Sequence, residues 1–248
     1  MELTVEICVD SVDSAIAAQA GGAHRVELCD NLMEGGTTPS AGAIRIARER
    51  LTIGLQVIIR PRGGDFLYNE IEFEIMKHDI ETAKALGADG VVIGLLQSDG
   101  SVDVDRTKRL VELARPMSVT FHRAFDVARE PFAAMEAIIS CGVDRLLTSG
   151  QEATAIEGAE LIGELVGRAG DRLTIMGCGN LNERNLSRFI SQTGVHEVHF
   201  TAFGTEPSAM EFRNDRVFMG GTLRPPEYER NVTRAEIVER MIGGKVRK

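Results

Sequence analysis

Eight short β-rich segments alternate with longer segments of helical apolar spacing along most of the chain. Parallel strands joined by helices are typical of α/β proteins, and eight strand–helix units make a TIM barrel. The length of 248 residues agrees with this, because such barrels commonly contain ~250 residues. The sequence therefore predicts an α/β fold, a single TIM-barrel domain over residues 1–248. The predicted strands are 3–8, 25–29, 55–60, 90–94, 118–122, 145–149, 173–178 and 197–201.

A doubly wound open sheet is the alternative arrangement of the same elements. Its dinucleotide-binding form needs a Gly-x-Gly-x-x-Gly turn after the first strand. That position reads Cys8-Val9-Asp10-Ser11-Val12-Asp13, with no glycine. The missing turn favours the barrel.

Four of the predicted strands follow a similar tripeptide that begins with glycine. Only glycine takes the left-handed conformation at a helix end without steric cost, so each of these residues is expected to end a helix. Every one of them precedes an even-numbered strand, which indicates a repeated unit of two strands and two helices. The four glycines are Gly22, Gly87, Gly142 and Gly194.

The alternation of side chains along each strand predicts which residues fill the barrel. In the first strand, Val5 and Ile7 are suited to face the helices, so Glu6 and Cys8 are expected inside. The same pattern places Glu27 and Cys29 inside. The upper interior layers, at the C-terminal mouth where TIM-barrel enzymes keep their active sites, are predicted to hold Cys8, Arg60, His122, Cys178, Cys29, Gly94, Ser149 and Thr201.

Two of the four cysteines are candidate metal ligands. Cys8 and Cys29 occupy equivalent positions on neighbouring strands, which lie ~4.8 Å apart. Two sulfurs that share one metal must lie within ~4.6 Å, and thiolates suit Cu(I) or Zn(II). No Cys-x-x-Cys motif is present, and buried thiols that only pack are common, so both interpretations stay open at this stage.

Charged residues at the same end of the barrel favour a pocket. Glu6 and Glu27 would be costly to bury unpaired, so they need Arg60, His122 or His199 as partners, or a ligand.

Two loops at the mouth carry guanidinium groups that could hold a carboxylate or phosphate. The expected anion-binding residues are Arg60, Arg62, Arg123, Ser149 and Gly179, and an enzyme at this site would use Glu6, Glu27 and His122 as general acids and bases. The alternative is a buried Glu–Arg–His network that only makes the barrel rigid.

The charge balance argues against polyanionic partners. Lys and Arg total 28 against 37 Asp and Glu, a formal net charge of -9. Nucleic acid and membrane surfaces are therefore not expected partners. The N-terminus has no signal-peptide pattern, so we expect a cytoplasmic protein.

The C-terminal part is the least regular. A long loop is predicted over 203–230, followed by a final helix over 231–242.

Several segments resemble the CutC copper homeostasis family, in order and over nearly the whole chain. The resemblance implies a cytoplasmic TIM barrel that self-associates as a dimer or tetramer and functions in copper tolerance or trafficking. The family's proposed Cu(I) ligands correspond to Cys8 and Cys29. His199 matches the family, whereas Cys178 is not a ligand position in it. The segments are Glu6-Ile7-Cys8-Val9-Asp10-Ser11, Arg25-Val26-Glu27-Leu28-Cys29, Glu34-Gly35-Gly36-Thr37-Thr38-Pro39-Ser40, Ile59-Arg60-Pro61-Arg62-Gly63-Gly64-Asp65-Phe66, Thr120-Phe121-His122-Arg123-Ala124-Phe125-Asp126 and Leu147-Thr148-Ser149-Gly150.

Two functional hypotheses follow from the sequence. The first is a copper homeostasis protein that binds Cu(I) at Cys8 and Cys29, with His122 as a candidate third ligand. The second is a TIM-barrel lyase, isomerase or hydrolase that acts on a small phosphorylated or carboxylated metabolite.

Overall fold

Eight parallel strands form a closed barrel in the computed structural model, which describes residues 3–243. Each strand pairs with the next along the chain, and the last pairs with the first. This confirms the predicted TIM barrel, and the open-sheet alternative was wrong. The strands are β1 (Thr4–Val9), β2 (Arg25–Leu28), β3 (Gly54–Ile58), β4 (Gly90–Ile93), β5 (Ser118–Phe121), β6 (Arg145–Thr148), β7 (Thr174–Cys178) and β8 (Glu197–Phe200).

Helices surround the barrel, and polar side chains begin several of them. Ser11 and Ser40 each accept a hydrogen bond from a backbone N–H of the first turn, and Asn69 forms a capping box with Glu72. The main core lies between helices and barrel, and its largest fully buried side chains include Phe73 and Phe121. The helices are α1 (Val12–Ala20), α2 (Ala41–Arg50), α3 (Glu70–Ala85), α4 (Val104–Ala114), α5 (Pro131–Ser140), α6 (Ala159–Ala169), α7 (Leu186–Thr193) and α8 (Ala235–Gly243).

The four repeated glycines have the backbone conformation that their positions predict. Their φ angles are +88° at Gly22, +85° at Gly87, +76° at Gly142 and +72° at Gly194. L-residues with a side chain rarely adopt this conformation. Each glycine therefore ends a helix and turns the chain into an even-numbered strand.

The predicted faces of the first two strands and of the seventh are also confirmed, whereas Thr201, predicted to lie in an interior layer, is exposed in the loop that follows β8. Val5 and Ile7 belong to the core shared with the helices, whereas Cys8 and Cys29 pack inside the barrel with Ile58 and Val92. A second interior cluster consists of Leu147, Met176 and Cys178. The chemistry-bearing side chains of the first two strands thus lie inside the barrel.

The C-terminal part differs from the prediction. Two antiparallel strands, β9 (Phe203–Pro207) and β10 (Glu229–Thr233), form a ribbon within the predicted 203–230 loop and just beyond it. The final helix begins at Ala235 rather than at 231, because Thr233 is still extended and its N–H donates to Ser14 Oγ. Neither strand has the regular apolar alternation that would identify it in the sequence. In the described part of the chain, no helix has the length and apolar character needed to cross a membrane.

Candidate functional site

Two thiols meet at the C-terminal end of the barrel. Cys8 lies in β1 and Cys29 directly follows β2, and their Sγ atoms are 3.7 Å apart. Together with Glu27 they form a buried group whose potential ligand atoms all lie within 4.8 Å of one another. Cys178 belongs to the other interior cluster and is not part of this group.

The strand register that brings the thiols together is not the one expected. In the β1–β2 ladder, Cys8 pairs with Glu27, so Cys29 lies two residues further along its strand. Strands of a closed barrel are staggered, and equivalent sequence positions therefore do not lie side by side. The sulfurs meet along a diagonal instead.

The two thiols differ in acidity. A hydrogen bond from Cys29 outweighs burial and, with His199, lowers the pKa of Cys8 to about 5. The same contact, together with burial, raises the pKa of Cys29 well above its usual value. The pair therefore combines a thiolate at Cys8 with a thiol at Cys29 near neutral pH.

Glu6 belongs to a buried ion-pair network. Its Oε2 accepts from Arg25 Nε at 2.5 Å and its Oε1 lies 2.7 Å from His199 Nδ1, and Arg25 also pairs with Glu197. Burial opposes ionisation, but Arg25 and His199 lower the pKa of Glu6 to about 2. The network interpretation thus accounts for Glu6, with Arg25 as a partner that the sequence analysis missed.

Glu27 has a different environment. Its Oε2 lies 3.6 Å from His199 Nε2, and its Oε1 is buried with no hydrogen-bond partner. Burial and the neighbouring Cys8 charge raise the pKa of this carboxyl well above its usual value. The surroundings of the two interior glutamates thus act in opposite directions, because those of Glu27 favour the protonated carboxyl and those of Glu6 favour the ionised one.

Above the thiols lies a cavity of about 310 Å³. Cys8 and Glu27 line one part of its wall, and Arg60, His122 and Arg123 line another. Glu6 is not among the residues that line it. The remaining wall includes the apolar side chains of Ile58, Phe66, Val127 and Leu147, together with Asp126 and His199.

His122 is held rigidly and is uncharged. Its Nδ1 accepts a hydrogen bond from the Ala124 N–H at 3.1 Å, and its ring lies 5.0 Å from the Phe66 ring. A Cβ on Gly94 would lie 2.3 Å from the imidazole, so only glycine fits there. Burial, and then the charge of Arg60, lower the pKa of His122 to about 3.

Arg60 is buried and is held by backbone carbonyls. Its Nη1 donates to the carbonyls of Glu34 and Gly36, and its Nη2 donates to that of Gly64. Its Nε has no partner. The side chain is therefore fixed in the cavity wall, and its Nε–H group has no acceptor among the described residues.

Arg123 is held by Asp126 and Ser149. Its Nε donates to Asp126 at 2.7 Å and its Nη2 donates to Ser149 Oγ at 2.7 Å. The Ser149 hydroxyl is also within hydrogen-bond distance of Asp126 and of the Glu152 carbonyl. Asp126 thus positions this wall, although the sequence analysis gave it no role.

Three predicted anion-binding residues, Arg62, Ser149 and Gly179, do not line the cavity. Arg62 donates to Glu72 at 2.5 Å and to Asp65 at 3.0 Å, so carboxylates near it in sequence neutralise it outside the cavity. Gly179 packs beside Ser149, where an added Cβ would lie 3.1 Å from the Ser149 Cβ. Of the five predicted anion-binding residues, Arg60 and Arg123 therefore line the cavity.

Comparison with known proteins identifies the family. A family model for the CutC family matches residues 3–204. The chain belongs to the CutC family. All the cavity-lining residues named above fall within the matched range.

Curated relatives resemble this CutC chain over nearly its whole length. A family protein CutC of Bacteroides fragilis is 55% identical over 94% of both chains. The human copper homeostasis protein cutC homolog is 47% identical over 92% of this chain and 84% of its own. Among solved structures, a CutC protein of Streptococcus agalactiae has a TM-score of 0.76 and 34% identity, covering 80% of this chain and 98% of that one. Self-association of this CutC chain stays a prediction.

Proposed function

We propose that this chain is a cytoplasmic copper homeostasis protein that binds Cu(I) as its cargo at Cys8 and Cys29. The observation that carries the proposal is the 3.7 Å separation of two buried sulfurs. The copper homeostasis name of the human and mouse relatives, at 47% identity, agrees with it.

The donor set fits Cu(I) better than Zn(II). The Sγ–Sγ distance lies within the ~4.6 Å that two metal–sulfur bonds can span. Zinc in structural sites almost always has four ligands, whereas the group found among residues 3–243 offers two thiols and one carboxyl. Soft thiolates with so few further donors favour Cu(I).

The protonation states of the two thiols also favour binding of Cu(I). Only a thiolate binds metal, and Cys8 is already in that form near neutral pH. Its side chain lines the cavity, so Cu(I) can reach the sulfur from the barrel mouth. Cys29 then gives up its proton as the second sulfur binds.

An anaerobic Cu(I) titration against a competing chelator tests the proposal. We expect sub-micromolar affinity, which the double variant Cys8→Ser/Cys29→Ser abolishes. Cys178→Ser and Cys141→Ser are the matched controls, because both thiols are buried outside the pair. If the double variant binds Cu(I) as the wild type does, or if a control loses equal affinity, the assignment of these ligands is wrong.

A further inference from the structure

The cavity wall formed by Arg60, His122 and Arg123 carries hydrogen-bond donors that nothing in the described chain accepts. Arg60 and His122 are each only 5% exposed. Arg60 Nε and His122 Nε2 are both buried without a partner. Buried polar groups in proteins are nearly always hydrogen-bonded, so two such atoms on residues that line one cavity need an explanation.

His122 presents a donor because of its tautomer. The Ala124 N–H donates to Nδ1, so Nδ1 carries no proton. The ring stays neutral in its buried position. Its single proton is therefore on Nε2, which requires an acceptor.

Arg60 adds a positive charge without a counterion. All three hydrogen bonds of its Nη atoms go to backbone carbonyls of Glu34, Gly36 and Gly64. Across residues 3–243, no carboxylate oxygen forms a salt bridge with it, in contrast to Arg62 in the same loop. Buried charges are normally paired, so the missing partner of Arg60 is an anion.

Arg123 completes the wall. Asp126 accepts a hydrogen bond from its Nε and Ser149 accepts one from its Nη2, while Nη1 makes no hydrogen bond to the described residues. Each of these three cavity-lining side chains thus has one N–H group without an acceptor among the described residues. The positive charges of the two guanidinium groups and these N–H donors together suit a small anion.

The composition of the cavity identifies the class of anion. A phosphate site in a TIM barrel uses backbone amides and small residues of the loops after strands seven and eight, but Gly179 does not line this cavity and Ser149 is hydrogen-bonded elsewhere. The other lining side chains include the apolar Ile58, Phe66 and Leu147, which suit an apolar organic group, and the carboxylate of Asp126, which is paired with Arg123. A volume of about 310 Å³ lies in the range of small-molecule pockets and exceeds the need of a single ion.

We propose that the mouth cavity binds a small organic carboxylate, whose oxygens accept from Arg60, His122 and Arg123 and whose apolar part contacts Ile58, Phe66 and Leu147. The donors of this site are different side chains from the two proposed copper ligands, although Cys8 lines the same cavity. The same cavity therefore holds two neighbouring sites, one for a soft cation and one for an anion.

Isothermal titration of the full-length protein with defined probes tests this proposal. Benzoate and isobutyrate are the carboxylate probes, benzamide is the uncharged isostere of benzoate, and inorganic phosphate represents the other anion class. We expect both carboxylates to bind at millimolar or lower concentration. Benzamide should bind at least about tenfold more weakly because it loses the charge-assisted hydrogen bonds. Phosphate should also bind at least about tenfold more weakly because it has no apolar part to contact the apolar side chains of the wall. No binding of either carboxylate, or binding of benzamide or phosphate as tight as that of benzoate, overturns the proposal.

Two variants locate the site. His122→Asn keeps an acceptor for the Ala124 N–H but removes the Nε2 donor, and Arg123→Gln removes the positive charge of the third donor and shortens its side chain. We expect each to weaken benzoate binding about tenfold or more, whereas Arg62→Gln, which changes a guanidinium outside the cavity, leaves it unchanged.

Equal benzoate affinity in the wild type, His122→Asn and Arg123→Gln would overturn the assignment. The double variant Cys8→Ser/Cys29→Ser should still bind benzoate. Failure of the copper proposal and failure of this one therefore give different results.

Discussion

Replacing His122 with asparagine should remove a large part of the protein's sensitivity to mild acid. In the folded protein, burial and Arg60 lower the pKa of this imidazole to about 3, whereas the unfolded chain exposes it with a pKa near ~6.5. Between these values the unfolded state binds a proton that the native state does not. The stabilisation is therefore present above the unfolded pKa and is lost as the pH falls towards the folded one.

The magnitude follows from this difference in proton binding. From pH 7 to pH 5 the unfolded imidazole becomes protonated while the native one stays neutral, which lowers the free energy of unfolding by roughly 2 kcal/mol. Asparagine has no proton to gain, so the variant lacks this contribution. All other titratable groups are common to both proteins, and the difference between them isolates His122.

Urea denaturation at pH 7 and pH 5 measures this difference. The wild type should lose about 2 kcal/mol more than His122→Asn does over this interval. If both proteins lose the same free energy to within a few tenths of a kcal/mol, His122 is protonated in the folded state at pH 5. That result would also remove the tautomer on which the carboxylate site depends.

Two further substitutions test the packing and the charges of the barrel interior. Gly94→Ala places a Cβ 2.3 Å from an imidazole and should cost about 1–3 kcal/mol in urea denaturation, whereas Gly167→Ala, with nothing within 4 Å, should be neutral or stabilising by up to about 1 kcal/mol. Equal effects would contradict the close approach. Arg25→Leu leaves the Glu6 charge buried and should cost about 3–5 kcal/mol, against less than about 1 kcal/mol for Arg240→Leu in an exposed pair. A small loss in Arg25→Leu would show that the network contributes little.

The sequence predicts the barrel and its interior residues well, because both depend on local patterns. An apolar residue at every second strand position must face the helices, which places Glu6, Cys8, Glu27 and Cys29 inside without knowledge of the neighbours. The glycine before each even-numbered strand is similarly a local steric requirement.

The contacts across strands could not be predicted in the same way. Arg25 pairs with Glu6 because the stagger of the barrel sets the two residues opposite each other in the β1–β2 ladder. Nothing within either strand encodes that offset. Arg62 shows the same limit, because its carboxylate partner Glu72 lies in the first turn of a helix that follows a loop of unpredictable path.

The hydrogen bond between Glu6 and His199 joins residues 193 positions apart, across the pairing of β1 with β8. During synthesis, both thiols and Glu27 emerge from the ribosome long before this histidine does. The contribution of His199 to the low pKa of Cys8 therefore arises only when β8 closes the ring of strands, whereas the larger contribution of Cys29 comes from the end of the neighbouring strand.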